Sequence, residues 1–410
     1  MDMLSGYAGW ECGFFVAMIL AMAGVPLISA GWWRKWYPVV TLAIALPALI
    51  IVWNRSPSAL GVVAEEYISF ILLLGALYII SGGILIETPA RGRPLSNATF
   101  LLIGALLTNV LGTTGASVVL IRPLIRANAW RKHATHVFVF FIFMVSNIGG
   151  LLLPLGDPPL FLGFLRGVPF LWTLKLLPLW AVANGVLLVL FLGIDALAMR
   201  RESGENDGVA PRRFGIHGAM NGVLLLAVVS SLFLPMVPRL LVMAIAAGIS
   251  IRWTPGAIRE ENDFTYHPIL EVAVLFAGIF TTIIPVQAFL HNSPVLQWVS
   301  SPGRYFWVAG GLSTVLDNAP TYLIFSENAR MSATPGVPLV SGVPEPLLLA
   351  ISAGCVLMGS VTYIGNGPNL MVKAICEDEG IAMPSFMGYL VWSLAVLIPL
   401  FALISRMFFS

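Results

Sequence analysis

The sequence predicts an all-α polytopic membrane protein: about 10 transmembrane helices plus two re-entrant hairpins, arranged as two inverted-topology repeats. Three observations carry this. Of 410 residues only 10% are charged and 58% are apolar, whereas a soluble protein is roughly a quarter charged, so a soluble enzyme is excluded. The apolar residues fall into runs of spanning length, and a chain this long has material for about ten crossings. Finally, the same succession of runs, interrupted by a short polar tip, occurs once in each half.

The first repeat covers residues 1–199. No signal-peptide pattern precedes the run from Cys12 to Ala30, which reads as a retained first span. Further spans follow at about 37–53, 67–86, 134–165 and 174–198. Between the third and fourth, residues 98–127 hold two apolar stretches too short to cross alone, flanking a polar, Gly-rich tip at 108–117. That is the pattern of a re-entrant hairpin, whose irregular tip is tolerated at membrane depth only if it lines a cavity. Residues 200–217 (RRESGENDGVAPRRFGIH) form a cytoplasmic linker. The second repeat, 218–410, has spans at about 219–234, 240–251, 269–290, 347–372 and 386–404, with a hairpin at 305–330.

Residue-level matches support the repeat. Gly150, Gly156, Asp157 and Pro159 correspond to Gly359, Gly365, Asn366 and Pro368 at a constant offset of 209. The tip TTGASVV from Thr113 lies on DNAPTYL from Asp317 at an offset of 204. With the N-terminus outside, loops bearing Arg34, Lys35, Arg91, Arg93, Arg122, Arg126, Arg131, Lys132, Arg200, Arg201, Arg212, Arg213, Arg252, Arg259 and Lys373 fall in the cytoplasm, and both termini lie outside the plasma (inner) membrane. Five spans per half invert the second half relative to the first.

Inverted repeats with helices broken near the midplane are the architecture of secondary transporters. In the broken helices at 134–165 and 347–372, prolines and glycines should free backbone carbonyls to bind cations. Asp157 and Asp317 stand beside the breaks, where a carboxylate is costly and marks an ion or proton pathway by default. Each also fits a plain helix N-cap. Neutral oxygen donors cluster around them: Thr108, Asn109, Thr113, Thr114, Ser117, Ser146, Asn147 and the Gly156 carbonyl in one half; Asn318, Thr321, Thr362, Asn366 and Asn369 in the other. Such oxygens suit hard cations. Asp195, Glu65, Glu66, Glu87, Glu327, His133 and His136 read as interfacial residues, and Gly218 with Gly222 as a weak helix-packing motif.

A net charge of +2 argues against a nucleic-acid partner. Cys12, Cys355 and Cys376 lack metal-type spacing and read as buried hydrophobes. No phosphate-binding lysine motif, HExxH or GxSxG is present, so enzyme chemistry has no support and no cofactor is expected.

The TTGAS and DNAPT tips, SNIGGLLLPLGDPPLFLGF (Ser146 to Phe164) and GSVTYIGNGPNLMV (Gly359 to Val372) resemble the ion transporter superfamily. That group includes NhaD-like and NhaE-like sodium/proton antiporters, arsenite exporters, the melanosomal P protein, citrate carriers and divalent anion/sodium symporters. The resemblance implies a scaffold domain, often dimer-forming, and a transport domain moving as an elevator. The divalent anion branch carries Ser-Asn-Thr at both tips, where this chain has Thr113-Thr114-Gly115 and Asp317-Asn318-Ala319. A carboxylate at a tip repels citrate unless a cation neutralises it. The leading expectation is therefore sodium/proton antiport, with sodium and protons competing at Asp157 and Asp317; the alternative is a cation-coupled citrate or dicarboxylate transporter.

Overall fold

The computed structural model describes residues 7–89, 91–202, 214–291, 298–332 and 336–410. Among them, eight helices are long and apolar enough to cross a membrane, joined by shorter apolar helices at Thr135–Leu151, Ala219–Ser231 and Glu345–Met358. The protein is an all-α polytopic membrane protein. Of the linker expected at 200–217, residues 203–213, with Arg212 and Arg213, lie outside the described residues.

Helices α1 (Gly13–Ile28), α2 (Ala30–Arg55) and α3 (Pro57–Ser81) come first. They are followed by α4 (Pro94–Asn128), α5 (Thr135–Met144), α6 (Pro158–Leu165) and α7 (Leu177–Met199). Strand β1 (Leu85–Glu87) pairs antiparallel with β2 (Gly215–His217), at the end of the linker. Then come α8 (Ala219–Ser231), α9 (Met236–Trp253), α10 (Gly256–Glu261) and α11 (His267–His291). Helices α12 (Pro302–Ser313), α13 (Asn318–Arg330), α14 (Glu345–Met358), α15 (Gly367–Asp378) and α16 (Phe386–Phe408) complete the chain. Proline opens α3, α4, α6 and α12, where its missing N–H has no intrahelical partner to lose.

Two groups of helices emerge from the packing. Helices α1, α2, α3, α8, α9 and α11 contact one another, and α4 to α7 with α12 to α16 form the second group; the two meet chiefly where α3 and α11 abut α4, α6 and α13. Helix α5, THVFVFFIFM, is buried from His136 to Met144, which explains why its sequence is apolar all round instead of on one face. Helices α2 and α9 leave Leu42, Trp53, Leu241 and Ile245 exposed, as a lipid-facing surface requires.

Helix α4 folds back on itself. A straight helix would hold Asn97 and Asn128 about 46 Å apart, yet their side-chain amides exchange two hydrogen bonds of 2.9 Å, and the Gly92 N–H donates to the Ala127 carbonyl at 2.8 Å. The reversal is at Gly112, whose φ of 73° is open only to glycine at low cost. The irregularity expected across 108–117 is thus confined to one residue, and Thr108, Asn109 and Thr113 to Ser117 stay helical. The second hairpin turns more gradually, through residues 314–317, and Asn328 on α13 donates to the Tyr305 hydroxyl on α12 at 2.7 Å.

Between α5 and α6, and between α14 and α15, the helix is interrupted at 145–157 and 359–366. The repeated glycine pairs are explained by contact: a Cβ on Gly156 would lie 2.1 Å from the Gly150 carbonyl oxygen, and one on Gly365 would lie 2.6 Å from that of Gly359. Neighbouring donors meet several of the freed carbonyls: Gly149 by Asn109 and Trp180, Leu152 by Thr173, Gly156 by the Thr113 N–H, Gly359 and Thr362 by Asn369.

His136, expected to lack an acidic companion, has one: both it and Asp195 are buried within the protein, and His136 Nε2 is 2.8 Å from Asp195 Oδ1. The acidic companion comes from α7, 59 residues away, so nothing adjacent in sequence announces it.

Candidate functional site

Asp157 lies where the two hairpin tips and the two helix breaks converge. It occupies the N-cap position of α6, yet its carboxylate does not cap that helix. Instead Oδ1 accepts from Thr113 Oγ1 at 3.2 Å and Asn366 Nδ2 at 3.3 Å, and Oδ2 accepts from Asn318 Nδ2 at 2.8 Å. Thr113 starts the second arm of α4, Asn318 starts α13 and Asn366 precedes α15, so three segments distant in sequence fix one carboxylate. Ser313 Oγ, 2.6 Å from Asn318 Oδ1, orients that amide so its NH₂ faces Asp157. All three partners are neutral, and among the described residues Asp157 has no ion pair. Burying an unpaired carboxylate is expensive, so this arrangement favours uptake of a cation or a proton.

A network of amides ties the two breaks together. Asn147 Nδ2 donates to the Asn369 oxygen at 2.7 Å, and Asn366 Nδ2 lies 3.1 Å from both Asn147 Oδ1 and the Ser146 carbonyl. Ser117 and Ser146 join their hydroxyls at 2.8 Å.

Beside Asp157 opens a cavity of about 580 Å³. Part of its wall is made of helix beginnings: Thr113 to Gly115 of the second α4 arm, Gly156 and Pro158 at α6, Asp317 at α13, and Asn366 to Pro368 at α15. The positive ends of these helix dipoles point toward the wall, which favours anions; the first N–H groups themselves are mostly occupied or missing, because Thr113 donates to the Gly156 carbonyl, Ala319 donates to Asp317, and Pro158, Pro159, Pro320 and Pro368 have none. Asp317 is a half-buried wall residue; its carboxylate caps α13 by accepting from the Ala319 N–H at 3.2 Å. The opposite wall comes from the first helix group, with Trp33 and Arg34 of α2, Tyr78 of α3, and His267 and Glu271 of α11.

A family described as "Putative citrate transport" matches residues 6–409, essentially the whole chain. The chain belongs to this family. A comparison with curated proteins finds no match. The citrate-transport family is part of the broader ion transporter group that the motifs resemble, and it is named for an anion rather than for sodium/proton exchange.

Within this citrate-transport family member, the nominated residues divide by what they touch. Thr113, Asn318 and Asn366 contact Asp157, and Asn147 supports Asn366. Thr113, Thr114, Gly156, Asp317 and Asn366 face the cavity. Others hold backbone: the Asn109 oxygen accepts from the Leu152 and Leu153 N–H groups, Thr362 Oγ1 accepts from those of Ile364 and Gly365, and Thr321 donates back to the Asp317 carbonyl within its helix. Asn369 and Ser117 bridge helices. Sequence reasoning missed Ser313 and the whole opposite wall. Lys373 and Glu377, paired at i,i+4 on α15 at 2.6 Å, also line the cavity; that spacing was visible, but its exposure to a cavity was not.

Proposed function

We propose that the protein is a secondary carrier that moves citrate or a related di- or tricarboxylate together with a cation. The observation carrying this reading is the cavity wall built from four helix N-termini. Through its dipole alone, each helix end contributes about 0.3–1 kcal/mol toward a nearby anion. The family assignment supports the same substrate class. Two carboxylates in such a setting, Asp157 without a protein cation and Asp317 on the wall, repel the substrate until neutralised. Sodium or a proton taken up by these groups therefore precedes or accompanies the anion. Turning the Asn318 and Asn366 amides would present oxygens to sodium.

The repeated glycine motifs, matched hairpins and odd number of spans per half support inverted repeats and alternating access. In this reading the α4 to α7 and α12 to α16 group moves against the α1 to α3, α8, α9 and α11 group, in a homodimer in the plasma membrane with both termini outside. Exchange of sodium for protons is the second reading, and Asp157 favours it as well, since one carboxylate can exchange the two cations.

Purified protein in liposomes with labelled citrate separates them. The first reading predicts citrate uptake driven by an inward sodium or proton gradient; sodium-driven proton efflux that is indifferent to citrate would replace it with the second.

A further inference from the structure

Two arginines pin the helix groups to each other, one near each of the two faces assigned by the basic-loop pattern. At the face bearing the basic loops, Arg122 on the second arm of α4 donates to the Asn262 carbonyl at 2.6 Å and to Asp263 Oδ2 at 2.8 Å, in the loop between α10 and α11. At the opposite face Arg166, just past α6, donates to Glu66 Oε2 of α3 at 3.0 Å. With the Gln287 amide turned so that its oxygen faces the guanidinium, α11 accepts two more bonds of 3.2 Å. The Arg166 and Glu66 side chains are only 15% and 16% exposed, so water screens this pair less than a surface ion pair. The cavity is lined by Arg34 and Lys373, residues of the basic loops that the positive-inside pattern places in the cytoplasm, and by His267 and Glu377.

We infer that Arg166, with Glu66 and Gln287, is an external latch that holds the carrier in its inward-facing state. This rests on the alternating-access reading above. Arg166 belongs to the group that moves and its two partners to the group that stays, so any sliding of one past the other must break a fork of charge-assisted hydrogen bonds. Those bonds exist in the state whose cavity faces the cytoplasm, and a ligand-independent interaction present in one state alone sets the resting population. Arg122 makes a second cross-group contact in the same state, through the buried Asn262 carbonyl and the 79% exposed Asp263, and adds to the hold; Arg166 is the contact at the external side.

The test reads accessibility, so it needs no transport. Leu316, on the second hairpin tip and facing the cavity, is replaced by cysteine in a background with Cys12→Ser, and reconstituted protein is labelled from either side with a membrane-impermeant maleimide. Arg166→Gln is expected to raise external labelling about three- to tenfold and to lower internal labelling; Glu66→Gln should do the same to a smaller degree, because Gln287 still holds Arg166. The charge exchange Glu66→Arg with Arg166→Glu should return both rates to within about twofold of the parent. Unchanged labelling in both single variants would overturn the latch, as would failure of the exchange to restore the parent rates. If the parent labels identically from both faces, or from neither, alternating access itself fails, an outcome distinct from loss of the latch.

Discussion

Asp157 and Asp195 are both aspartates with almost no exposed surface, 1% and 0%, and each is bound by side chains from several helices. Their partners differ in charge. Asp195 has Arg131 Nη2 at 2.5 Å and His136 Nε2 at 2.8 Å, with the Asn97 amide at 3.2 Å. Asp157 has a hydroxyl and two amides. A buried carboxylate with a resident arginine is electrically complete, and this one fastens the base of the first hairpin, where Asn97 meets Asn128, to α5 and α7. A buried carboxylate with neutral partners is incomplete, and its missing charge must come from solution. The comparison separates two acids that burial alone cannot: one has a resident counter-charge and the other does not.

The largest effect is expected from breaking the complete pair. Arg131→Met leaves Asp195 buried without its counter-ion and should destabilise the protein by about 3–5 kcal/mol, seen as a lower melting temperature in detergent. Replacing Arg131 and Asp195 together by methionine should recover much of that loss. Coupling stoichiometry in surviving Arg131→Met protein should match the wild type.

Next is the charge on the cavity wall. Asp317→Asn keeps a good capping residue, so it isolates charge from helix stability, and it should raise the half-saturating concentration of the coupling cation about tenfold, equivalent to about 1.4 kcal/mol. An unchanged cation dependence would leave Asp317 as a cap and nothing more.

The smallest effect concerns Glu202, just beyond α7. Burial pushes its carboxyl up, but the N–H groups of Lys132 and His133, at 3.1 and 2.7 Å, outweigh burial and hold it below the usual range. A carboxyl depressed in the folded state stabilises fully above its unfolded pKa, about 4.3, and loses that contribution as pH falls through the lower folded value. Melting temperatures of Glu202→Gln should therefore fall slightly below wild type at pH 7, by a fraction of a kcal/mol, and converge with it in acid.

Much of this architecture was legible because it is written locally. Apolar runs, prolines at helix starts, and the pairs Gly150/Gly156 and Gly359/Gly365 each constrain neighbouring backbone, and the short arms around Gly112 and Asp317 are too short to span. The Asp157 cage was half legible: its members could be nominated as oxygen-bearing residues beside breaks, but Asn318 touching the carboxylate while Thr321 turns back to its own helix depends on helix phase and packing. The Asp195 cluster and the Arg166–Glu66 pair were not legible, since they join residues 59 to 100 positions apart. Likewise, the donors that meet several of the carbonyls freed at the breaks, Asn109, Thr173 and Asn369, lie on other elements.

The central claim is that Asp157 binds the coupling cation, and Asp157→Asn in liposomes tests it most directly, since asparagine nearly preserves shape while removing the charge. Citrate exchange across a membrane without gradients should persist, while accumulation driven by an imposed sodium or proton gradient should fall at least about 100-fold, a loss of about 2.7 kcal/mol of coupling. Gradient-driven accumulation at the wild-type level in Asp157→Asn would contradict the account.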